Sequence, residues 1–303
     1  MALVYINADT GNDSTGDGSS GLPYLTIDKG LTTMSTGDTV YLENATATYA
    51  IASTTHRILT LASITVQGES KTGVVLDGAG IGPTGSNHVW KLNTLGMAVV
   101  WKDITIQNFD HGTNGAEPMW KLSKNNITLL LQNIIFKDFI ISSNYDLGGL
   151  ASFDNSTLAN GSTITVKNCD VLDWEFDSGY TPASGWGQSS LFGNRQASTA
   201  GYVIQGTTIR PKDADNAGVG ARIVGSTVGT STIKNSIFQT DSASNLKAEH
   251  GNGTLSYSCF HDTADTPTGT GVITTDPLFV DVANGNVDLQ PGSPAGWGTG
   301  VLV

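Results

Sequence analysis

The sequence is poor in charged residues. Asp, Glu, Lys and Arg make up 14% of its 303 residues, and the formal net charge is −12. No run of Lys and Arg exceeds two residues, whereas a nucleic-acid-binding surface needs a basic track that replaces counterions. The composition therefore argues against nucleic acid as a partner. It also predicts repulsion of a polyanionic sugar unless bound Ca²⁺ reverses the local charge.

Long hydrophobic runs are missing as well. No apolar run reaches the roughly 18 residues that a membrane helix requires. The first six residues, Met1–Ile6, carry no basic segment and start no long apolar stretch, unlike a signal peptide. These absences predict a protein that has no membrane span. Either it is used without classical secretion, which the Met1 start favours, or a signal peptide was removed before this numbering.

Glycine and small polar residues are abundant instead. The 37 glycines and the short runs of Val, Ile, Leu and Phe favour strands and turns over helices. A sandwich or barrel would show hairpin signals, and Asn160-Gly161 is one such case, which allows a local hairpin there. The composition thus predicts an all-β protein.

One pattern recurs six times between residues 90 and 260. A short apolar strand and a turn lead to a second strand, which ends in a polar pair followed by apolar residues. The second members of these pairs are Asp103, Asn133, Asn168, Thr207, Asn235 and Ser258, at steps of 30, 35, 39, 28 and 23 residues. A varying period of this size indicates coils of constant cross-section joined by turns of different length. We therefore predict a single parallel β-helix with coils about 4.8 Å apart.

The six pair residues are predicted to form one column at a turn, where side-chain amides hydrogen-bond from coil to coil. We interpret this column as structural. Cys169 and Cys259, the only cysteines, follow it directly but three coils apart, a separation of about 14 Å. A disulfide requires Cα atoms within about 7 Å, so we predict two buried free thiols.

Segments near both ends of the chain share a second pattern. They are Tyr5–Asn7, Thr10–Asp13, Gly21–Ile27, Gly37–Leu42, Asp276–Val280 and Asp288–Ala295. Together they resemble the opening and closing segments of the pectate-lyase-like superfamily of right-handed parallel β-helix proteins. The resemblance implies a cap and first coil at residues 1–50, coils at 51–275 and a closing segment at 276–303. It also implies a short N-terminal capping helix over Thr26–Met34.

Charged residues at or after the first strand of four successive coils are candidates for a catalytic groove. They are Asp154, Arg195, Arg222, Glu249 and His250, with Lys247 beside the last two. A uronate lyase needs a Lys or Arg base and carboxylates that hold Ca²⁺, and a glycosidase needs two carboxylates about 5–9.5 Å apart. The alternative interpretation is a set of solvated residues at strand ends.

A second acidic group is a candidate metal site. Its members are Asp170, Asp173, Glu175 and Asp177, whose spacing could hold Ca²⁺. Surface acids without a ligand are the alternative interpretation. No cofactor is expected, and Ca²⁺ is expected only if the protein is an enzyme.

Aromatic residues suggest a contact surface. Tyr180 and Trp186 lie in the polar insertion at 177–188, and loops on rigid scaffolds often carry function. Trp90 and Trp120 occupy equivalent strand positions, which predicts that they stack in or on the coils.

Three functions are open, because the superfamily includes lyases, glycosidases, esterases, phage tailspikes, capsid-associated proteins and adhesins. The first is a non-enzymatic virion protein, such as a phage capsid decoration or tail-associated subunit, located in the virion and bound to other virion proteins or to itself as a homotrimer. The second is a polysaccharide lyase or hydrolase, and the third is a carbohydrate-binding adhesin; both would be extracellular. We expect no nucleic-acid and no membrane partner under any of them.

Overall fold

The structure, a computed structural model, describes residues 2–51, 57–79, 89–110, 118–141, 149–153, 159–176, 190–194, 199–212, 222–226, 230–240, 253–263, 267–281 and 286–295. In these residues the chain forms a right-handed parallel β-helix with three sheet faces and one short helix. The fold expected from the repeat and from the resemblance is confirmed. No helix of the described residues is long and apolar enough to cross a membrane.

Each coil contributes a strand to up to three faces. Face one contains β1 (Leu3–Ile6), β2 (Thr39–Leu42), β5 (Ser63–Gly68), the first part of β8 (Ala98–Asp110) and of β10 (Thr128–Ile141), β12 (Thr163–Lys167), β15 (Gly201–Gln205), β18 (Ser231–Lys234) and β20 (Thr254–Ser256). Face two contains β3 (Tyr49–Ala50), β6 (Val75–Asp77), the second parts of β8 and β10, β13 (Asp170–Phe176), β16 (Thr208–Pro211), β19 (Ile237–Gln239) and β21 (Cys259–His261). Face three contains β4 (Arg57–Leu59), β7 (Trp90–Leu92), β9 (Trp120–Leu122), β11 (Ala151–Phe153), β14 (Ser190–Asn194) and β17 (Arg222–Ser226).

Inward side chains stack in columns along the axis. Strands such as β5 and β12 alternate partly exposed and buried residues, as one-sided burial requires. One inward column on face one is fully buried and runs through Val66, Trp101, Leu131, Val166 and Ile204. Burying each of these side chains stabilises the fold by about 1.5–3 kcal/mol, so the core extends along the stack rather than filling a sphere.

Three tryptophans fill the core between faces one and three. Trp90 and Trp120 are strand partners on face three, and their rings stack with centroids 4.9 Å apart. Trp101 lies 4.4 Å from the Trp90 ring, and all three side chains are buried. The predicted equivalence of Trp90 and Trp120 is confirmed, and both rings stack inside the coils.

The turn column exists, but two of its predicted members are wrong. The residues aligned at the bend between faces one and two are Asp103, Asn133, Asn168, Gly206, Asn235 and Tyr257, and all six have positive φ. Thr207 and Ser258 lie one residue later and point into the core. A left-handed backbone suits Asn, Asp and Gly, whereas a β-branched residue such as Thr avoids it. The Asn133 amide donates to the Asp103 carboxylate at 2.7 Å, as expected for a structural column.

The inward residues after this bend form a short hydroxyl ladder. The backbone N–H of Thr207 donates to Ser236 Oγ at 3.3 Å, and that of Ser236 donates to Ser258 Oγ at 3.2 Å. Each of the three hydroxyls donates to the carbonyl two residues before it. The three buried hydroxyls of this ladder are therefore paired, which avoids the cost of unsatisfied donors at this bend.

The two cysteines are free and buried, as predicted. Cys169 occupies the same inward position as the ladder hydroxyls, and its Sγ lies 3.4 Å from the Lys167 carbonyl oxygen. Cys259 lies one residue beyond the equivalent position and pairs with Ile237 on face two. Burial raises the pKa of each thiol to about 12.

The ends of the stack are covered. Helix α1 (Ile27–Thr33) is the capping helix, and the side chain of Thr26 caps it by accepting from Lys29 N–H. Gly30 permits close packing, because a Cβ there would lie 2.6 Å from Ile6 Cδ1. At the other end, β22 (Phe279–Asp281) and β23 (Asn286–Leu289) pair antiparallel, and Phe279 packs on Cys259 and Ile237.

The hairpin allowed at Asn160-Gly161 is absent. Gly161 takes a positive φ of 70° in the turn between faces three and one. Strand β12 then pairs parallel with both of its neighbours. The Asn-Gly signal thus marks a left-handed turn residue between two faces and does not produce the chain reversal of a hairpin.

We predict that Tyr257→Asn raises stability. Tyr257 is 49% exposed and adopts a φ of 48°, which costs a bulky residue about 1 kcal/mol. Asn at the same bend should remove most of that cost, and the reverse change Asn235→Tyr should impose it. Thermal unfolding of both variants checks the prediction, and a lower melting temperature for Tyr257→Asn would contradict it.

We also predict that neither thiol reacts with a disulfide reagent at pH 8 in the folded protein. A pKa of about 12 leaves almost no thiolate at that pH. Denaturation should release two reactive thiols, and a Thr254→Cys variant should add one reactive thiol in the native state because position 254 is exposed. Rapid native labelling of the unaltered protein would show that one cysteine is accessible.

Candidate active site

The catalytic residues expected from sequence fall mostly outside the described residues. This holds for Asp154, Arg195, Glu249 and His250, and for Lys247. Of Arg222 the structure gives the backbone, at the start of β17 opposite Ser190. The row at the strand ends is Phe153, Asn194 and Ser226, so Arg222 lies at the beginning of its face-three strand. The groove across the five candidates stays a prediction.

The candidate metal residues are partly described. Asp170 Oδ2 lies 3.1 Å from Lys71 Nζ, and Asp173 Oδ1 lies 3.7 Å from Arg210 Nη1. Glu175 lies farther along β13, and Asp177 is outside the described residues. Within the part of the chain that the structure describes, no three His, Cys, Asp or Glu side chains could hold a metal ion together. The Ca²⁺ site stays a prediction, as does the contact surface at Tyr180 and Trp186, which also lie outside the described residues.

A second bend column on face two contains an acidic residue that sequence reasoning missed. Asn108, Asp138 and Asp173 have φ values of 57°, 54° and 52°. Strand partners on either side align them, since Phe139 is opposite both Phe109 and Trp174. Asp138 and Asp173 therefore lie one strand spacing apart, about 4.8 Å between backbones. We call these two residues the carboxylate pair.

The signal for this pair is present in the sequence. The second bend follows the first by five residues in each of three coils, so that Asp103 precedes Asn108, Asn133 precedes Asp138 and Asn168 precedes Asp173. The catalytic candidates expected from sequence all lie at or after the first strand of a coil, so Asp138 at the second bend is not among them.

The left-handed backbone alone does not explain the pair. It accounts for Asn or Asp at each position, but two carboxylates on adjacent strands repel each other. At the first bend that conflict is absent, because Asp103 faces the amide of Asn133. Two carboxylates on neighbouring strands can act together as an acid and a base or nucleophile, so the carboxylate pair is the best candidate for chemistry among the described residues.

Arg210 offsets part of the repulsion. A register shift follows Leu172, so that Asp173 has no partner on β16, and Leu172 and Trp174 pair with Arg210 and Pro211. The Arg210 guanidinium is close enough to form an ion pair with Asp173. Asp138 is exposed and has no hydrogen bond or ion pair to the residues that the structure describes. The two carboxylates thus differ, since one is held by a cation and the other is open to solvent.

The row beside the pair completes the site. Along face two, Gln107, Lys137, Leu172 and Arg210 are successive strand partners. Lys137 and Arg210 therefore lie about 9.6 Å apart along the axis, on either side of Leu172, which is 6% exposed. The surface beside the carboxylate pair thus presents two cations, one on either side of the nearly buried Leu172.

Comparisons with known proteins concern the fold. No model of a protein family and no curated protein matches the sequence. Among solved structures, a GH136 lacto-N-biosidase from Eubacterium ramulus is similar over 86% of this chain and 56% of its own, at 13% identity and a TM-score of 0.46. The pectate lyase Pel9A is similar over 86% of this chain and 63% of its own, at 16% identity and a TM-score of 0.47.

A third solved structure matches along nearly its whole length. A rhamnogalacturonan lyase covers 100% of this chain and 97% of its own, at 12% identity and a TM-score of 0.36. The chain spans less than two thirds of the biosidase and of Pel9A. The parallel strand pairing of the chain itself establishes the β-helix.

We predict that Asp138→Asn stabilises the protein by about 0.2–0.5 kcal/mol at low ionic strength, because it removes the repulsion within the pair. Asp173→Asn should not stabilise it, since that change also removes the ion pair with Arg210. The stability change of each variant relative to the unaltered protein should shrink in 1 M salt, where the Debye length is about 3 Å. Denaturant unfolding measures them, and a loss of stability in Asp138→Asn at low salt would contradict the repulsion.

Proposed function

We propose that this protein is a polysaccharide-cleaving enzyme, and specifically a glycoside hydrolase that uses the carboxylate pair. The observation that carries the proposal is the alignment of Asp138 and Asp173 on neighbouring strands, with Arg210 beside Asp173. Retaining glycosidases hold two carboxyl groups about 5–5.5 Å apart. One strand spacing of about 4.8 Å between the two backbones agrees with that distance.

The two carboxylates would have different roles. Asp173, oriented by Arg210, is the nucleophile that attacks the anomeric carbon and forms a glycosyl ester as the glycosidic bond breaks. Asp138 gives its proton to the departing oxygen, and then takes a proton from the water that hydrolyses the ester. The exposed position of Asp138 gives water and the leaving sugar access to it.

The polymer would cross face two at Leu172. Lys137 and Arg210, on either side of the nearly buried Leu172, offer donors to sugar hydroxyls or to an acidic substituent. A lyase would use the same cations differently, as a base and as a partner for a uronate carboxylate. The product distinguishes the two, because β-elimination leaves an unsaturated sugar and hydrolysis does not.

The virion role, the homotrimer and the virion location remain hypotheses without a supporting observation in the described residues. The adhesin hypothesis depends on Tyr180 and Trp186, outside the described residues. Both hypotheses share one expectation, which is the absence of turnover.

The test is release of reducing ends, and of ultraviolet-absorbing unsaturated ends, from neutral and acidic polysaccharides with and without Ca²⁺. We expect reducing ends without unsaturation. Asp138→Asn and Asp173→Asn should each lower kcat by about 10²–10⁴-fold. The matched control is Asp288→Asn, which removes the same charge from an exposed residue of β23.

Two outcomes would overturn the proposal. Full activity in Asp138→Asn or Asp173→Asn would place catalysis elsewhere, for example at the groove expected from Asp154 to His250. No turnover on any polymer would favour a structural or adhesive role, and particle-binding and sugar-binding assays would then separate those two.

A further inference from the structure

An alternating column of lysine and glutamine runs along the outside of face one. Strand pairing aligns its six members in one outward row, which we call the lysine ladder: Gln67, Lys102, Gln132, Lys167, Gln205 and Lys234. All six are partly exposed. Lysine thus recurs at every second coil, about 9.6 Å apart, and a neutral amide separates each pair of charges.

The three ladder lysines have no ion-pair partner among the described residues. By contrast, Lys71 pairs with Asp170 and Arg57 pairs with Asp28. The acid nearest to the ladder in sequence is Asp103, and its carboxylate accepts from the Asn133 amide. Three lysines without an ion pair therefore share one row on a chain whose net charge is −12. Cations gathered in one row attract an anionic polymer more strongly than scattered cations do.

The surface on one side of the ladder carries no charge, and on the other side lies the first bend with Asp103. One neighbouring outward row contains Thr65, Val100, Leu130, Thr165, Val203 and Thr232, and the next contains Ser63, Ala98, Thr128, Thr163 and Gly201. Small and β-branched side chains make this a shallow floor with the lysines along one edge. A linear polymer can lie on it parallel to the axis and contact every coil.

The row continues into two tyrosines at its N-terminal end. Tyr41 is the strand partner of Gln67, and Tyr5 is the partner of Tyr41. Their rings meet edge to face with centroids 5.5 Å apart, and both residues are partly exposed. Aromatic rings with a polar edge are common at binding surfaces, so one continuous row combines ring faces, amides and cations.

We propose that the lysine ladder binds a linear acidic polysaccharide that lies along the β-helix axis and carries one anionic group for every two sugars. A hexopyranose in an extended chain advances by a length close to one strand spacing, so a disaccharide repeat matches two coils. Each lysine then meets a carboxylate or sulfate, and each glutamine meets hydroxyl or amide groups of the intervening sugar.

Charge density selects this ligand over nucleic acid. A DNA strand carries one phosphate per about 3.4 Å, so most of its charges would face no lysine and would be repelled by the surrounding acidic protein. A polymer with one charge per disaccharide places its anions at the lysines. The net charge of the whole chain predicts repulsion of polyanionic sugars, whereas the register of face one makes this row locally positive.

The ladder is a surface separate from the carboxylate pair, and its test needs no turnover. The probes are hyaluronan, with one carboxylate per disaccharide, polygalacturonate, with one per sugar, neutral dextran and single-stranded DNA. Binding is measured by affinity electrophoresis and calorimetry between 20 and 300 mM salt. We expect hyaluronan to bind most tightly, with affinity that falls as salt rises.

The decisive variant is Lys102→Gln/Lys167→Gln/Lys234→Gln. Its matched control is Lys29→Gln/Lys91→Gln/Lys121→Gln, which changes the net charge equally at lysines of α1, β7 and β9, away from both surfaces. The ladder variant should lose at least tenfold in hyaluronan affinity and most of the salt dependence, whereas the control should bind as the unaltered protein does. Thermal unfolding confirms that both variants fold.

Four outcomes would overturn the proposal. These are no binding of hyaluronan by the unaltered protein, equal losses in the two triple variants, tighter binding of DNA than of hyaluronan, and equal affinity for polygalacturonate and hyaluronan. None of them bears on the carboxylate pair, and a failure of the turnover test leaves the binding result unchanged.

Discussion

Backbone hydrogen bonds between parallel strands hold each coil about 4.8 Å above the one before it. This spacing governs the rest of the molecule, because it converts every position of the coil into a column along the axis. Inward columns form a continuous core, in which Trp90 and Trp120 stack and the hydroxyls of Thr207, Ser236 and Ser258 pair from coil to coil. How well a residue packs in such a column depends mainly on the residues at the same position one coil away.

Because of the same spacing, the repulsion between two like charges depends on whether they lie on adjacent coils or two coils apart. At about 4.8 Å two like charges repel appreciably, and at about 9.6 Å with a neutral residue between them they repel much less. The ladder on face one keeps Lys102 and Lys167 at the longer distance, with Gln132 between them. The second bend on face two instead brings Asp138 and Asp173 to the shorter distance. That contrast identifies the carboxylate pair as the place where the fold accepts an electrostatic cost.

Net charge and local charge lead to opposite expectations for this chain. An excess of acids predicts repulsion of every polyanion, but acids such as Asp28, Asp170 and Asp173 lie beside cations. The remaining lysines of face one lie in one line. A protein with a net charge of −12 can therefore present a positive row, and the row selects ligands by the spacing of their charges.

The sequence by itself determined the parallel β-helix and the two free thiols, whereas the capping helix was implied by the resemblance at the ends of the chain. Each depends on a local pattern or on a coil count, neither of which changes when a turn lengthens by a few residues. The register at the bends depended on the tertiary structure, because turn lengths vary and a one-residue offset exchanges a bend position for a core position. Gly206 and Tyr257 thus occupy the bend where Thr207 and Ser258 were expected. The proximity of Asp138 and Asp173 became visible only from the strand pairing. Hydrogen bonds between strands decide which residues are neighbours on adjacent coils, and these two residues lie 35 positions apart in the sequence.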